Sequence, residues 1–315
     1  MTTKRCVLAG GSGFLGTVLA DELVLKGYEV IVLTRSPRNA TGKVRDVKWD
    51  GKVLGEWLEA INGSEAVINF TGKSVNCRYT PENRQEIRSS RVDSVKVLAE
   101  AIAGCKHPPK SWVQCASLAI YGDTAERICD ENAVPAEGFS AETCLLWEQA
   151  FDSVRLPATR KMLFRIGLVL GRDEGALGTL AKLAEFYLGG TVGNGRQYIS
   201  WLHQKDLNQM FLWGIERTET RGVFNATSPT PVTNAQFMFE LRRVLKRPWS
   251  PPVPAWAVHI GARLMGTEPE LALTGRRCAP KRFQEKGFNF MYPALREALE
   301  DLFTDRPKSE LSPIV

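Results

Sequence analysis

The chain has a glycine-rich turn at its tenth residue, and few folds accommodate such a turn. Gly10, Gly13 and Gly16 follow the spacing G-x-x-G-x-x-G, directly after apolar residues 6–9 and before a helical pattern over residues 14–26. Glycine allows a tight turn and a close approach to a diphosphate, and the helix N-terminus offers N–H groups and partial positive charge. The turn therefore predicts a dinucleotide site. The residues predicted to bind the cofactor here are Gly10, Ser12, Gly13, Phe14, Leu15 and Gly16.

Further short apolar runs alternate with helical patterns through the first half of the chain. These runs cover residues 29–33, 66–70, 112–116 and 161–165. The alternation predicts an α/β fold, a Rossmann-like doubly wound parallel sheet with a smaller C-terminal substrate lobe. We expect an NADP-binding domain over 1–168, a substrate-binding lobe over 169–303 with segments that return to the sheet, and a flexible tail over 304–315.

Composition excludes several other classes of protein. The 315 residues carry 41 Lys plus Arg and 35 Asp plus Glu, and a net charge of +6 spread along the chain gives no support for nucleic-acid binding. No apolar stretch reaches membrane-spanning length. Seven cysteines without C-x-x-C spacing suggest neither disulfides nor zinc, and three histidines lack the carboxylate neighbours of a metal site. We expect no metal and a cytoplasmic location.

The end of the second apolar run indicates which dinucleotide binds. An NAD site commonly has a carboxylate there to hold the ribose 2′-hydroxyl, but this chain has Leu33-Thr34-Arg35-Ser36. The guanidinium of Arg35 suits a 2′-phosphate, with Arg38 as a candidate second cation. Thr34 and Arg35 are therefore predicted to bind NADP, although Arg35 could also simply solvate the end of a strand.

Several segments together resemble the extended short-chain dehydrogenase/reductases, in their atypical, epimerase-like branch. They are the glycine turn, residues 69–72, Ser117 with Tyr121-Gly122, residues 165–171, 193–197, 200–203 with Asp206, and 224–226. The resemblance covers residues 5–303. It implies that Phe70, Thr71 and Gly72 pass beneath the adenosine side of the cofactor and that Glu86 and Arg91 reach it. For Glu86 and Arg91, spacing alone fits a solvated charged helix equally well. The resemblance also makes residues 82–103 a candidate homodimer face.

The catalytic pair of the resembled superfamily is absent. In its active members a Tyr-x-x-x-Lys pair transfers protons, because a nearby cation lowers the pKa of the phenol. Anchored on Glu148, the pair should stand at Ser140 and Cys144. Ser117 matches the family's serine and Tyr121 a tyrosine of the substrate pocket, so these two are the catalytic candidates. Both could instead pack a pocket wall, and Cys144 and Glu148 are further groups expected near the nicotinamide.

The sequence thus predicts an NADP(H)-binding oxidoreductase or epimerase-like protein that acts on a small substrate. Arg165, Arg196 and Lys205 either dock an anionic substrate or form salt bridges within the fold. The resemblance implies that His203 and Asp206 fix a loop near the second lobe. The alternative is a non-catalytic sensor or scaffold that binds NADP(H) and regulates a partner protein.

Overall fold

The computed structural model describes residues 4–38, 42–172 and 174–304. Its strands are β1 (Arg5–Ala9), β2 (Glu29–Thr34), β3 (Val44–Lys48), β4 (Ala66–Asn69), β5 (Ser111–Ser117), β6 (Ile128–Cys129), β7 (Arg160–Ile166), β8 (Leu168–Leu170), β9 (Tyr198–Ile199), β10 (Trp201–His203), β11 (Gly222–Ala226), β12 (Val232–Thr233) and β13 (Arg277–Cys278). Its helices are α1 (Phe14–Leu25), α2 (Leu58–Ile61), α3 (Pro81–Ala103), α4 (Phe139–Asp152), α5 (Gly175–Glu185), α6 (Gln204–Glu216), α7 (Asn234–Val244), α8 (Ala255–Leu264), α9 (Glu270–Leu273), α10 (Lys281–Glu285) and α11 (Leu295–Phe303).

The main sheet has seven parallel strands in the order β11-β7-β5-β4-β1-β2-β3. The chain runs outward from β1 in one direction through β2 and β3 and in the other through β4 and β5. Such a reversal of strand order opens a crevice beyond the carboxyl ends of the central strands, where ligands of α/β proteins bind. The predicted Rossmann-like sheet is confirmed.

Helices cover both faces of this sheet because its central strands are apolar on both sides. On one face α1 and α6 pack through Leu19, Leu23 and Phe211 against the sheet. On the other face α3 and α4 contribute Leu98, Phe151 and their neighbours to a second apolar cluster. The two layers hold the strand ends, and hence the crevice, in a fixed position.

A third apolar cluster builds the C-terminal part of the chain. Helices α5, α7 and α11 pack around Trp201 and Phe237, beside short two-stranded pairs. Strand β11 returns to the main sheet and pairs with β7. No helix in the described part of the chain combines the length and apolar character that a bilayer span requires.

Two strands of the main sheet were not predicted. Strand β3, at the sheet edge, has no fully buried residue and reads as polar sequence, while β11 is short and lies far along the chain from the other strands. The predicted tail falls, apart from Thr304, outside the described residues.

Candidate cofactor and substrate site

The glycine turn between β1 and α1 is closed on two sides and open on the third. A Cβ on Gly10, which has φ of 68°, would lie 2.7 Å from Oγ1 of Thr71, and a Cβ on Gly16 would overlap the carbonyl oxygen of Gly11. A Cβ on Gly13 would meet no atom within 4 Å. Gly13 is the N-cap residue of α1, and no side chain there bonds the first N–H groups of the helix. The first N–H groups of α1 therefore face a space suited to a diphosphate.

A cavity of about 660 Å³ lies beside this turn, beyond the carboxyl ends of β1, β2 and β4. Eight of the predicted cofactor residues line it: Gly10, Ser12, Thr34, Arg35, Phe70, Thr71, Gly72 and Glu86. Phe14 and Leu15 instead pack against the apolar cluster around α1 and α6, where the Phe14 ring contacts Gly171. We call this space the first cavity.

Hydroxyl and cationic groups occupy the end of the first cavity near β2. Thr34 Oγ1 donates to Ser12 Oγ at 3.2 Å, and the side chain of Arg35 is exposed within the lining. The candidate second cation, Arg38, is held by Asp46, which accepts from its backbone N–H and its Nε. Lys52, which sequence reasoning missed, lines the cavity instead. It lies in a loop after β3, and β3 itself was not predicted.

A buried polar network fixes the segment that follows β4. The amide nitrogen of Asn69 donates to Gln114 Oε1 at 3.0 Å and to Ser94 Oγ at 3.2 Å. Its oxygen accepts from the backbone N–H of Thr71 at 3.0 Å. Asn69 therefore turns the chain at the strand end, and residues 70–72 lie along the cavity wall.

Helix α3 contributes a charged pair and a buried arginine. Glu86 forms an ion pair with Lys73, and this hydrogen bond lowers the pKa of Glu86. Arg91 Nη1 donates to the carbonyl oxygens of Lys73 and Ile87, and its guanidinium lies 5.1 Å from the Trp147 ring centroid. Burial lowers the pKa of Arg91. Its guanidinium contacts the side of Gly72 that a Cβ would fill. Arg91 therefore packs behind the wall of the first cavity and lines the second cavity, not the first.

A second cavity of about 330 Å³ begins where the first one ends. The chain from Phe70 to Ser74 lines the first cavity, and Val75 lines the second. Most of the second wall is apolar or hydroxylic. Its charged and hydroxyl-bearing side chains are Tyr79, Arg91, Ser117, Ser140, Thr143, Tyr198, Ser200, Thr274 and Arg276.

The two catalytic candidates are separated by the structure. Ser117 ends β5 and lines the second cavity, and its hydroxyl accepts from the backbone N–H of Ala119 at 3.1 Å. Tyr121 is fully buried and lines neither cavity. Its hydroxyl donates toward Asn225 Oδ1 at 2.9 Å and accepts from Arg165 Nη1 at 2.6 Å. Burial raises the pKa of Tyr121 to about 12. This placement argues against proton transfer by Tyr121.

Tyr121 belongs to a buried cluster that also contains Glu148 and Arg165. Arg165 donates from Nε and Nη2 to the two carboxylate oxygens of Glu148, at 2.9 and 2.7 Å. Burial opposes the charge of Arg165, but the paired carboxylate outweighs it and raises the arginine pKa. Of the two alternatives given for Arg165, the structure therefore shows the ion pair within the fold. Arg165 and Glu148 line neither cavity, so Glu148 does not reach the space where the nicotinamide was expected.

The positions where a Tyr-x-x-x-Lys pair was sought do face the second cavity. Cys144 is buried there, and burial raises the pKa of its thiol to about 12, so it is uncharged at neutral pH. Tyr79, which sequence reasoning missed, enters the same wall from the loop before α3 and packs 4.8 Å from the Phe139 ring. Ser140 lies beside its hydroxyl. Nothing in the local sequence around Tyr79 signals this contact.

The two remaining candidates, His203 and Asp206, hold the chain near the start of α6. His203 Nδ1 accepts from the backbone N–H of Lys205, and burial lowers the pKa of His203 to about 4. The Asp206 carboxylate accepts from the backbone N–H groups of Met291 and Tyr292 at 2.7 and 3.0 Å. Lys205 forms an ion pair with Asp301 at 2.9 Å and lines neither cavity, which is the second of the two roles that the sequence left open.

A doubly wound sheet with an open glycine turn at its strand-order reversal defines a dinucleotide-binding protein of the Rossmann class. A family model described as the NAD dependent epimerase/dehydratase family matches residues 6–226, and the chain belongs to this family. A second model, for a domain of unknown function (DUF1731), matches residues 253–302.

The chain is similar to named members over nearly its whole length. It is 33% identical over 303 residues to the epimerase family protein YfhF of Bacillus subtilis, covering 95% of this chain and 98% of that protein. It is 31% identical over 306 residues to mouse epimerase family protein SDR39U1, with 95% and 99% covered. The crystal structure of human SDR39U1 (isoform 2) with NADPH matches with a TM-score of 0.85 and 28% identity, over 96% of this chain and 100% of that one.

Proposed function

We propose that this protein binds NADP(H) in the first cavity and acts on a small substrate in the second, as an oxidoreductase or epimerase-like enzyme. The observation that carries the proposal is that the walls of the two cavities follow one another along the chain, residues 70–74 in the first and Val75 in the second. Human SDR39U1, which is similar over the whole chain, is described with NADPH. The family description and other structures of this fold name NAD, so the choice of NADP rests on residues of this chain.

The residues of the first cavity fit a phosphorylated dinucleotide. The open side of the glycine turn would take the diphosphate, and the cations Arg35 and Lys52 would take a 2′-phosphate. The acidic residues in the lining are already engaged, since Asp50 accepts from two backbone N–H groups and Glu86 pairs with Lys73. When bound, the nicotinamide supplies hydride transfer.

Within the second cavity Ser117 is the proposed hydrogen-bond donor to a substrate oxygen. It stands at the carboxyl end of β5, and its oxygen already accepts the Ala119 N–H, which leaves its proton to donate. Tyr121 then acts through Arg165 and Asn225 as a structural residue. The free cysteine thiols suit a reducing compartment, and we propose the cytoplasm.

The proposal is tested by comparing two neighbouring arginines. We expect Arg35→Ala to weaken NADPH binding about 10- to 100-fold and to leave NADH binding almost unchanged, because one charge-assisted contact to the 2′-phosphate is lost. Arg38→Ala is the matched control, since Asp46 already holds that side chain. Titration calorimetry measures both ligands. Equal affinity of the unaltered protein for NADPH and NADH would contradict the NADP assignment.

The non-catalytic sensor or scaffold remains the second candidate, favoured by one observation. The side chains at the expected proton-transfer positions are Ser140 and an uncharged Cys144. Oxidation of NADPH with a panel of small carbonyl compounds, followed by absorbance, distinguishes the two. Turnover that Ser117→Ala reduces supports the enzyme. Tight NADPH binding without turnover on any compound supports the sensor.

A further inference from the structure

The second cavity carries positive charge that the protein itself does not neutralise. Two of its lining residues are arginines, Arg91 and Arg276, and none of the described residues in its wall is acidic. Ion pairs within 4 Å join twelve lysines and arginines to acids elsewhere in the described chain, but neither of these arginines takes part. Both arginines are partly buried, and a guanidinium donor removed from water is costly unless a ligand or a counterion pairs with it.

Arg91 is partly used by the protein and stands at the junction with the first cavity. Its Nη1 bonds two backbone carbonyls, and its guanidinium contacts Gly72 of the predicted cofactor wall. The proposed diphosphate position in the first cavity is on that side. The charge of Arg91 is therefore assigned to the cofactor end, and Arg276 is left for a substrate.

Arg276 is held by its backbone and not by its side chain. Its N–H donates to the Tyr198 carbonyl at 2.8 Å, and its own carbonyl accepts from Ser200 Oγ at 2.7 Å. The preceding residue, Gly275, packs so closely on the Tyr198 backbone that a Cβ would overlap it. The Nε of Arg276 is buried without a hydrogen-bond partner. The fold thus fixes the backbone of Arg276, and its buried Nε finds no hydrogen-bond partner among the described residues.

We propose that the second cavity binds a small carboxylic acid with an apolar body, of the oxo-acid or hydroxy-acid class, whose carboxylate pairs with Arg276. This inference rests on the proposed function. One planar guanidinium matches one carboxylate in a two-bond geometry. The remaining wall, with Leu118, Phe139 and Trp147, suits hydrocarbon. With Arg91 engaged at the cofactor end, the one remaining arginine matches one carboxylate better than the two phosphates of a nucleotide sugar.

The adjacent residue, Arg277, offers a matched control. Its guanidinium pairs with Glu126 at 3.4 Å and lies 4.6 Å from the Tyr198 ring centroid, outside the second cavity. Arg276→Gln and Arg277→Gln remove the same charge at neighbouring positions. A difference between these variants therefore reports local contact and not net charge.

The experiment measures dissociation constants on the NADP⁺-saturated full-length protein by calorimetry, with phenylpyruvate, its methyl ester and UDP-glucose as probes. We expect phenylpyruvate to bind at least tenfold more tightly than the ester. Arg276→Gln should weaken phenylpyruvate about 10- to 100-fold, and Arg277→Gln should change it less than twofold. Arg276→Lys should bind with intermediate affinity, because it keeps the charge and loses the planar pair of donors.

Three outcomes would overturn the inference: the ester binds as tightly as the acid, both glutamine variants weaken the acid equally, or UDP-glucose binds more tightly than the acid. Circular dichroism and the NADP⁺ dissociation constant of each variant verify folding and cofactor binding in the same samples. If NADP⁺ itself does not bind to the unaltered protein, the proposed function fails. If NADP⁺ binds and the acid is not preferred, only the assignment of Arg276 fails.

Discussion

Two neighbouring regions each contain an arginine and a tyrosine, yet they differ in how their polar groups are satisfied. In the cluster of Tyr121, Glu148 and Arg165, the guanidinium meets a carboxylate and a phenol at 2.6–2.9 Å. In the second cavity, Arg276 is near hydroxyl groups and apolar side chains but no acid among the described lining residues. The first region is complete without a ligand, whereas the second is not.

The difference shows why residue type alone does not identify a site. Both regions contain arginine and tyrosine, and the family resemblance made Tyr121 the catalytic candidate. Pairing inside the protein converts such groups into a structural element, because buried polar atoms that bond one another are no longer available to a substrate. Unpaired groups along a cavity wall are the ones a ligand can satisfy.

The largest expected effect comes from breaking the complete region. Glu148→Gln would leave the buried charge of Arg165 without a counterion, since both side chains are less than one-tenth exposed. We expect a loss of about 3 kcal/mol in the free energy of unfolding at neutral pH. Urea denaturation followed by circular dichroism measures it.

Glu142 on the same helix is the matched control for this loss. It pairs with Arg88 at 2.9 Å, but its side chain is 56% exposed. Glu142→Gln should cost less than about 0.5 kcal/mol, as exposed ion pairs usually do. Equal losses in the two variants would mean that Arg165 finds another partner or that water reaches it.

A smaller effect separates the two tyrosines. Tyr121→Phe removes the hydroxyl that joins Arg165 to Asn225 and should lower the free energy of unfolding by about 1–2 kcal/mol. Tyr79→Phe, in the cavity wall, should change it by less than about 0.5 kcal/mol. Thermal and urea unfolding of both variants test the pair. If Tyr79→Phe lowered the free energy of unfolding and Tyr121→Phe did not, the roles given to the two regions would be reversed.

The sequence predicted what depends on local spacing. Residues close together in the chain were enough to predict three features. These are the glycine turn, the strands β1, β2, β4, β5 and β7, and the absence of a carboxylate after β2. Four of the residues that line the first cavity, Gly10, Ser12, Thr34 and Arg35, were predicted in this way, whereas Phe70, Thr71, Gly72 and Glu86 were predicted from the family resemblance. The two strands that were missed, β3 and β11, lack a long apolar run, and pairing with their neighbours in the sheet defines them.

The second cavity could not be predicted in the same way. It joins Tyr79, Ser117 and Arg276, which come from three segments separated by tens to more than a hundred residues. Likewise, nothing in the sequence states that Arg165 faces Glu148 or that Arg38 faces Asp46. Whether a charged side chain is paired or free depends on these long-range contacts, which only the folded chain fixes.

The glycine turn also has one open position, Gly13, and one closed position, Gly16. The smallest expected effect on stability is at the open position. Gly13 has φ of −88° and open space where a Cβ would lie, so Gly13→Ala should change the free energy of unfolding by less than about 0.5 kcal/mol. Because this open side is proposed to take the diphosphate, the added methyl should still weaken NADPH binding about tenfold. Gly16→Ala should instead destabilise the fold by about 1–3 kcal/mol, since its Cβ would overlap Gly11. Unfolding curves and NADPH titration of both variants decide the matter, and unchanged NADPH affinity in Gly13→Ala would place the diphosphate elsewhere.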